Sequence, residues 1–185
     1  PSFFQQQRYL PVIEKYTPDL LKEMEGIAQG SECPFEEIFI LQLGDEFYTF
    51  AGNFETDLSA VQCSSLGAEK TPNNPCIIGQ TLDWDITGEG AYVVLKIAEE
   101  NSEMRSLVIT PPGGIGTMGI NNQSVGICTN AIWTQTNNSL TGLPVNFIVR
   151  EVLRKPSYSK AIEFIKQIPH SSGENYIIGD KNHVG

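Results

Sequence analysis

Apolar positions in the first third of the chain recur every three or four residues. In YTPDLLKEMEGIAQG, Leu20, Leu21, Met24 and Ile27 fall at helical spacing. Thr17 can cap that helix, Pro18 suits its first position and Gly30 can end it. Pro34 opens a second predicted helix, PFEEIFILQLGDEFY, with Phe35, Ile38, Leu41 and Phe39 turned inward. A short earlier helix from Gln6 to Lys15 is also predicted, interrupted by Pro11.

From Cys63 the pattern changes. Strand-like runs (CSSLGA, CIIGQTLD, AYVVLKIA, MRSLVITP, SVGICTNAIW) alternate with KTPNNP, ITGEG, EENSE and INNQ, which are rich in turn formers or charge. Such short connections predict a meander in which sequential strands pair antiparallel. GGIGTMG reads as a tight turn that allows close strand packing. Two helices follow. One runs from Gly142 to Lys155, starting at Pro144 and carrying Phe147, Ile148 and Leu153; PSYSKAIEFIKQI puts Ala161, Ile162, Ile165 and Ile168 on one face of the other. ENYIIGD is a last strand. Helices, then strands, then helices, then a strand predict an α+β fold with helices packed on antiparallel sheet. Residues 1–62 form a helical N-terminal segment and residues 63–185 a strand-rich part. The final strand stops so close to Gly185 that further protein is expected downstream.

Composition narrows the function classes. The 185 residues are 40% hydrophobic, as in a globular domain. A net charge of -10 repels phosphate backbones, so nucleic acid is not an expected partner. No apolar run approaches the roughly 20 residues of a membrane helix. No basic stretch leads into an apolar segment as in a secretory signal, which favours the cytoplasm, although a chain starting at Pro1 leaves the compartment open. Cys33, Cys63, Cys76 and Cys128 show no metal-ligand spacing, and no metal or organic cofactor is called for. His170 and His183 lie late in the chain, outside any recognisable motif.

The chemistry-bearing stretch is VQCSSLGAEKTPNNPCIIGQTLDWD, from Val61 to Asp85. With KTPNNP as the turn, Cys63 falls opposite Thr81 to Asp83, and Ser64, Ser65, Gln80 and Asp83 gather at one sheet end. A cysteine without a helper is a small apolar residue, and each of the four thiols allows that reading. A nucleophilic cysteine needs a base and an oxyanion stabiliser, and no histidine lies near Cys63 in sequence. Its own α-amine, freed by a cut before it, titrates near ~8 and could accept the thiol proton.

Several segments together carry a family resemblance. They are LLKEMEGIAQGSECPFEEIFILQLGDEF, CSSLGA, IGQTLDWD, GGIGTMGINNQSVGICTNAIW, TGLPVNFIVREVLR and NYIIGD, which cover most of Leu20 to Asp180. In that order they resemble the acyl-coenzyme A:6-aminopenicillanic acid acyltransferase family of N-terminal nucleophile (Ntn) hydrolases. A looser similarity extends to penicillin V acylases and bile-salt hydrolases. The resemblance implies a four-layer αββα sandwich, incomplete in this chain at its C-terminal side. It implies self-cleavage between Gln62 and Cys63, leaving residues 1–62 as a propeptide or small subunit. Cys63 would form a thioester with an acyl amide or acyl-coenzyme A substrate, Asp83 would orient the new amine, and Asn130 would shape the oxyanion region. Asp85 is an adjacent candidate for the aspartate, and Gln80, Trp84 and Ser64 are substrate-binding candidates. The chain departs from the family pattern in having Gln62 where glycine is common. The family's downstream oxyanion asparagine would belong to the remaining C-terminal part of the same protein. Two other readings stay open: plain hydrolysis of N-acyl amides without transfer, and a binding domain that keeps the fold without the chemistry. Arg150 is expected to pair with Glu151, with a substrate carboxylate as the alternative, and Trp84 and Trp133 to line a core or pocket.

Overall fold

Residues 8–51, 63–83, 90–132 and 139–185 are described by a computed structural model. Helix α1 spans Leu10–Tyr16, and Pro11 sits in its first turn. Proline opens this helix instead of interrupting it, because the first turn needs no N–H at that place. Helix α2 is Pro18–Ser31, one residue longer than Gly30 suggests, and ends where Glu32 adopts a left-handed φ of 57°. Thr17 holds the N-cap position of α2 without capping it; its hydroxyl donates to the Ile13 carbonyl at 3.2 Å and ties α1 to α2.

The single helix expected after Pro34 is two, α3 (Phe35–Leu41) and α4 (Gly44–Ala51). The break falls at fully buried Gln42. Its Nε2 donates to the carbonyls of Ile38 at 2.7 Å and Gly113 at 2.8 Å, and its Oε1 accepts from Ile115 N–H at 2.9 Å. Burying Gln42 turns the face carrying Ile38 and Phe39 to the core and leaves Leu41, predicted inward, about 50% exposed.

Strands β1 (Cys63–Ala68) and β2 (Ile77–Leu82) form a two-stranded antiparallel sheet. A second, antiparallel sheet has the order β3 (Val93–Ala98), β4 (Arg105–Thr110), β5 (Met118–Asn121), β6 (Gly126–Ala131), β7 (Glu174–Gly179). Helices α5 (Val145–Val152) and α6 (Tyr158–Gln167) connect β6 to β7. Two expectations fail. Strands β2 and β3 are sequential but belong to different sheets. Strand β5 begins at Met118, within the end of the glycine-rich run read as a turn that allows close strand packing. A Cβ at Gly119 would stand 2.4 Å from the Leu107 carbonyl oxygen and 2.8 Å from Leu153 Cδ1, so glycine serves close packing inside a strand.

The helices share one core with the inner face of the larger sheet. Ser106, Val108 and Thr110 of β4 point into it, and Leu143, Phe147, Ile148 and Leu153 pack there with Ile13, Leu20, Met24, Ile38 and Leu43 from the N-terminal helices. Arg150, buried among them, pairs with Glu23 and not with the expected Glu151: its guanidinium nitrogens meet the Glu23 carboxylate at 2.6 and 2.7 Å and the Ile115 carbonyl at 2.9 Å. Glu151 is taken by Lys155 at 2.6 Å and Arg154 at 3.4 Å. The reach is geometric, because Arg150 faces inward on α5 while Glu151 lies a hundred degrees around it.

On the other face of the larger sheet the β1–β2 hairpin covers the β6–β7 half. Ile78 packs against Gly126 and Gly179, and Ile177 and Val184 close on Gly67. Over β3–β5 that face stays open, with Val94, Leu107, Ile109 and Ile120 exposed beside Lys96 and Arg105.

Candidate active site

The hairpin turn is built by Thr71, whose hydroxyl accepts from the N–H groups of Asn73 at 3.3 Å and Asn74 at 3.1 Å. The resulting register sets Cys63 opposite Leu82, the centre of the expected window, with Asp83 following directly. Strand alternation then sorts the candidates. Cys63 and Ser65 are half-buried on the face toward the larger sheet, while Ser64 and Leu66 point away, and the Ser64 N–H donates to Thr81 Oγ1 at 3.2 Å. Ser65, not the candidate Ser64, therefore shares the side of the thiol. Gln80 spans the two sheets: its Nε2 donates to the Thr129 carbonyl at 3.1 Å and its Oε1 accepts from the Thr129 N–H at 2.8 Å. Both ends of that side chain are occupied by the protein.

Asn130, next to Thr129 on β6, faces the hairpin. Its Oδ1 accepts a hydrogen bond from Ser65 Oγ and another from Asn175 Nδ2 at 3.3 Å, and Asn175 Nδ2 also lies 3.4 Å from Ser65 Oγ. Asn130 and Asn175 are register partners on β6 and β7. The Asn130 Nδ2, although buried, has no hydrogen-bond partner among the described residues.

The surroundings of Cys63 oppose the thiolate. Burial pushes its pKa up first; the Asp83 backbone N–H works the other way, and the carboxylates of Asp45, Asp83 and Glu174 push it up further. The acids form a cluster behind the sheet end. Glu46, at the start of α4, has Oε1 held by Val145 N–H at 2.9 Å, Ser171 Oγ at 2.6 Å and Ser172 Oγ at 3.3 Å. Ser172 Oγ is also 3.1 Å from Glu174 Oε1, so one hydroxyl proton serves two carboxylates. The Oε2 atoms of both and the Tyr176 hydroxyl are buried without partners among the described residues. Burial, then Asp45, raises Glu46 from 4.5 to about 7; burial raises Asp45 from 3.8 to about 6 and carries Glu174 well above its ordinary value. Both histidines are engaged elsewhere: His170 Nε2 lies 2.9 Å from the Ile165 carbonyl, and His183 Nδ1 lies 3.4 Å from Asp180. All four cysteines are free thiols. An open groove of about 340 Å³ between Tyr16, Asp19, Glu99 and Arg154 contains none of these groups.

A family model described as acyl-coenzyme A:6-aminopenicillanic acid acyl-transferase matches residues 69–184, more than half of the chain. The chain belongs to that family. No curated protein matches it. The match to the acyltransferase family starts just after Cys63 and includes Gln80, Asp83, Asn130 and Asn175.

Of the residues singled out in the sequence, Cys63, Gln80, Asp83 and Asn130 come together at one end of the hairpin. Gln62, Trp84, Asp85 and Trp133 lie outside the described residues. Sequence reasoning missed Asn175 and the acids Asp45, Glu46 and Glu174. Asn175 lies beside Glu174 at the polar start of a strand whose remainder is mostly apolar, which is a weak signal. Its meaning depends on β6–β7 pairing across two helices.

Proposed function

We propose that this acyltransferase-family chain is a self-processing N-terminal-cysteine amidohydrolase or acyltransferase. The observation that carries the reading is the position of Cys63 at the head of β1, beside Asp83, with a buried unpartnered Asn130 amide on the facing strand. Its thiol is held neutral by burial and acidic neighbours, and both described histidine rings are occupied, so activation falls to a main-chain nitrogen. In self-cleavage, Cys63 Sγ attacks the Gln62 carbonyl carbon and the Cys63 nitrogen leaves with a proton. Water then hydrolyses the thioester, freeing the Gln62 carboxylate and the thiol. In turnover the new α-amine takes the Cys63 thiol proton, the sulfur attacks the acyl carbonyl, and the departing amine accepts that proton. Water or an amine acceptor then releases the acyl group. Asp83 orients the α-amine, and Asn130 Nδ2 donates to the oxyanion.

In this reading residues 1–62 remain as a propeptide or small subunit, and residues 63–185 are the first part of a four-layer αββα sandwich. The open face of β3–β5, with four exposed aliphatic side chains, supports this layering: it is where further strands would extend the hairpin sheet. Intact-mass measurement tests the proposal. A fragment beginning at Cys63, absent from Cys63→Ala, is expected; an active enzyme whose backbone stays continuous through Gln62–Cys63 would falsify it. Adding an amine acceptor during turnover separates transfer from hydrolysis by the product formed.

A further inference from the structure

The Asn130 carboxamide could lie in either of two orientations related by a half turn, which exchange its oxygen and its nitrogen. Its neighbours choose between them. Ser65 Oγ and Asn175 Nδ2 both converge on Asn130 Oδ1. Turning the amide over would set an NH₂ group against the NH₂ of Asn175, whereas the Ser65 hydroxyl could meet either end by rotating. Asn175 therefore fixes which end is the oxygen, Ser65 ties that oxygen to the hairpin, and the nitrogen is left buried without a partner among the described residues. Ser65 stands two residues along β1 from Cys63 on the same face, about 7 Å away along the strand. The same contact thus ties Asn130 to the strand that carries the sulfur. The Gln80 bridge to Thr129 pins the residue before Asn130 and keeps β6 in register under the hairpin.

We infer that Ser65 and Asn175 are positioning residues that hold the Asn130 amide with its nitrogen toward the acyl oxygen at Cys63. The inference rests on the functional reading above. Neither residue touches the reacting atoms; each acts through Asn130.

Acylation of the self-processed protein by p-nitrophenyl acetate, followed as the burst of p-nitrophenolate, tests it. The step forms the Cys63 thioester and releases the phenolate. Asn175→Asp is the informative variant, because it keeps the size of the side chain and replaces a donor with an acceptor. Asn130 then turns its nitrogen toward position 175, and the acylation rate should fall about 100-fold, as for loss of one oxyanion donor. Ser65→Ala, which removes one of two locking bonds, should cost about tenfold, and Ser65→Thr, which keeps the hydroxyl, should restore the rate. Neither Asn175→Asp nor Ser65→Ala should slow the protein further once Asn130 is alanine. Circular dichroism of each variant separates misfolding from misorientation. A wild-type burst that Asn175→Asp leaves intact overturns the inference alone, as do full additive losses in the Asn130→Ala background. A wild-type protein with no burst at all overturns the functional reading, and this inference with it.

Discussion

The buried carboxylate Glu46 makes stability depend on pH in a direction opposite to that of most paired acids. Its folded-state pKa lies near 7 instead of 4.5, chiefly through burial and then through Asp45. A raised carboxylate contributes its stability in the protonated form. That contribution is complete below the unfolded value of 4.5 and is lost as pH rises through about 7. The shift corresponds to about 3 kcal/mol at roughly 1.4 kcal/mol per pH unit. The groups facing Glu46 act in the same sense: Asp45 on α4 and Glu174 on β7 are raised as well, and Tyr9 and Tyr176 stand beside them as neutral phenols. Glu46→Gln removes the titration while keeping an oxygen for the Val145, Ser171 and Ser172 donors, and its NH₂ takes the place of the carboxylic proton. Urea unfolding of both proteins at pH 4, 6 and 8 measures the effect, provided the m-values match. The wild type should lose about 3 kcal/mol relative to Glu46→Gln between pH 4 and pH 8, and the variant should be the more stable protein at pH 8. A difference between the two that stays constant across this range would show that Glu46 does not titrate as its burial demands.

Other expectations follow from single contacts. Gln80→Leu leaves the Thr129 N–H and carbonyl without their partner and should cost about 2 kcal/mol in denaturant unfolding. Loss of the same bridge should slow acylation of Cys63, read from the p-nitrophenyl acetate burst. Arg150→Met strips the Ile115 carbonyl and Glu23 of their donor; because Glu23 reaches solvent, the loss should be about 2 kcal/mol, and pairing it with Glu23→Leu should recover part of it. Gly119→Ala drives a methyl onto the Leu107 carbonyl and should lower stability by about 3 kcal/mol, seen as a fall of several degrees in Tm. If the chain is cut before Cys63 as proposed, maleimide should modify Cys63 faster than buried Cys128.

Periodicity made most of the elements legible. The strands at Cys63–Ala68, Ile77–Leu82, Val93–Ala98, Arg105–Thr110 and Glu174–Gly179 fall where alternation and turn residues put them. What stayed hidden was decided by contacts distant in sequence. Gln42 breaks a helix because its partners are Gly113 and Ile115, and β5 is a strand because Gly119 lets α5 approach. The hairpin of the candidate site was readable from KTPNNP alone, and with it the facing of Cys63 and the end of β2. The partners of that hairpin were not, since Asn175 and the Glu46 cluster reach it through tertiary packing. Arg150 illustrates the same limit: helical proximity pointed to Glu151, while the fold brings in Glu23 from the first third of the chain.

The Ser65–Asn175 contact joins residues 110 positions apart. The first strand of the reactive hairpin has its seat only after the last described strand has been made and docked. On the functional reading, that order of events is a safeguard. On that reading a nascent chain would carry Cys63 long before it carries the strand that seats it, and the cut would wait for the fold.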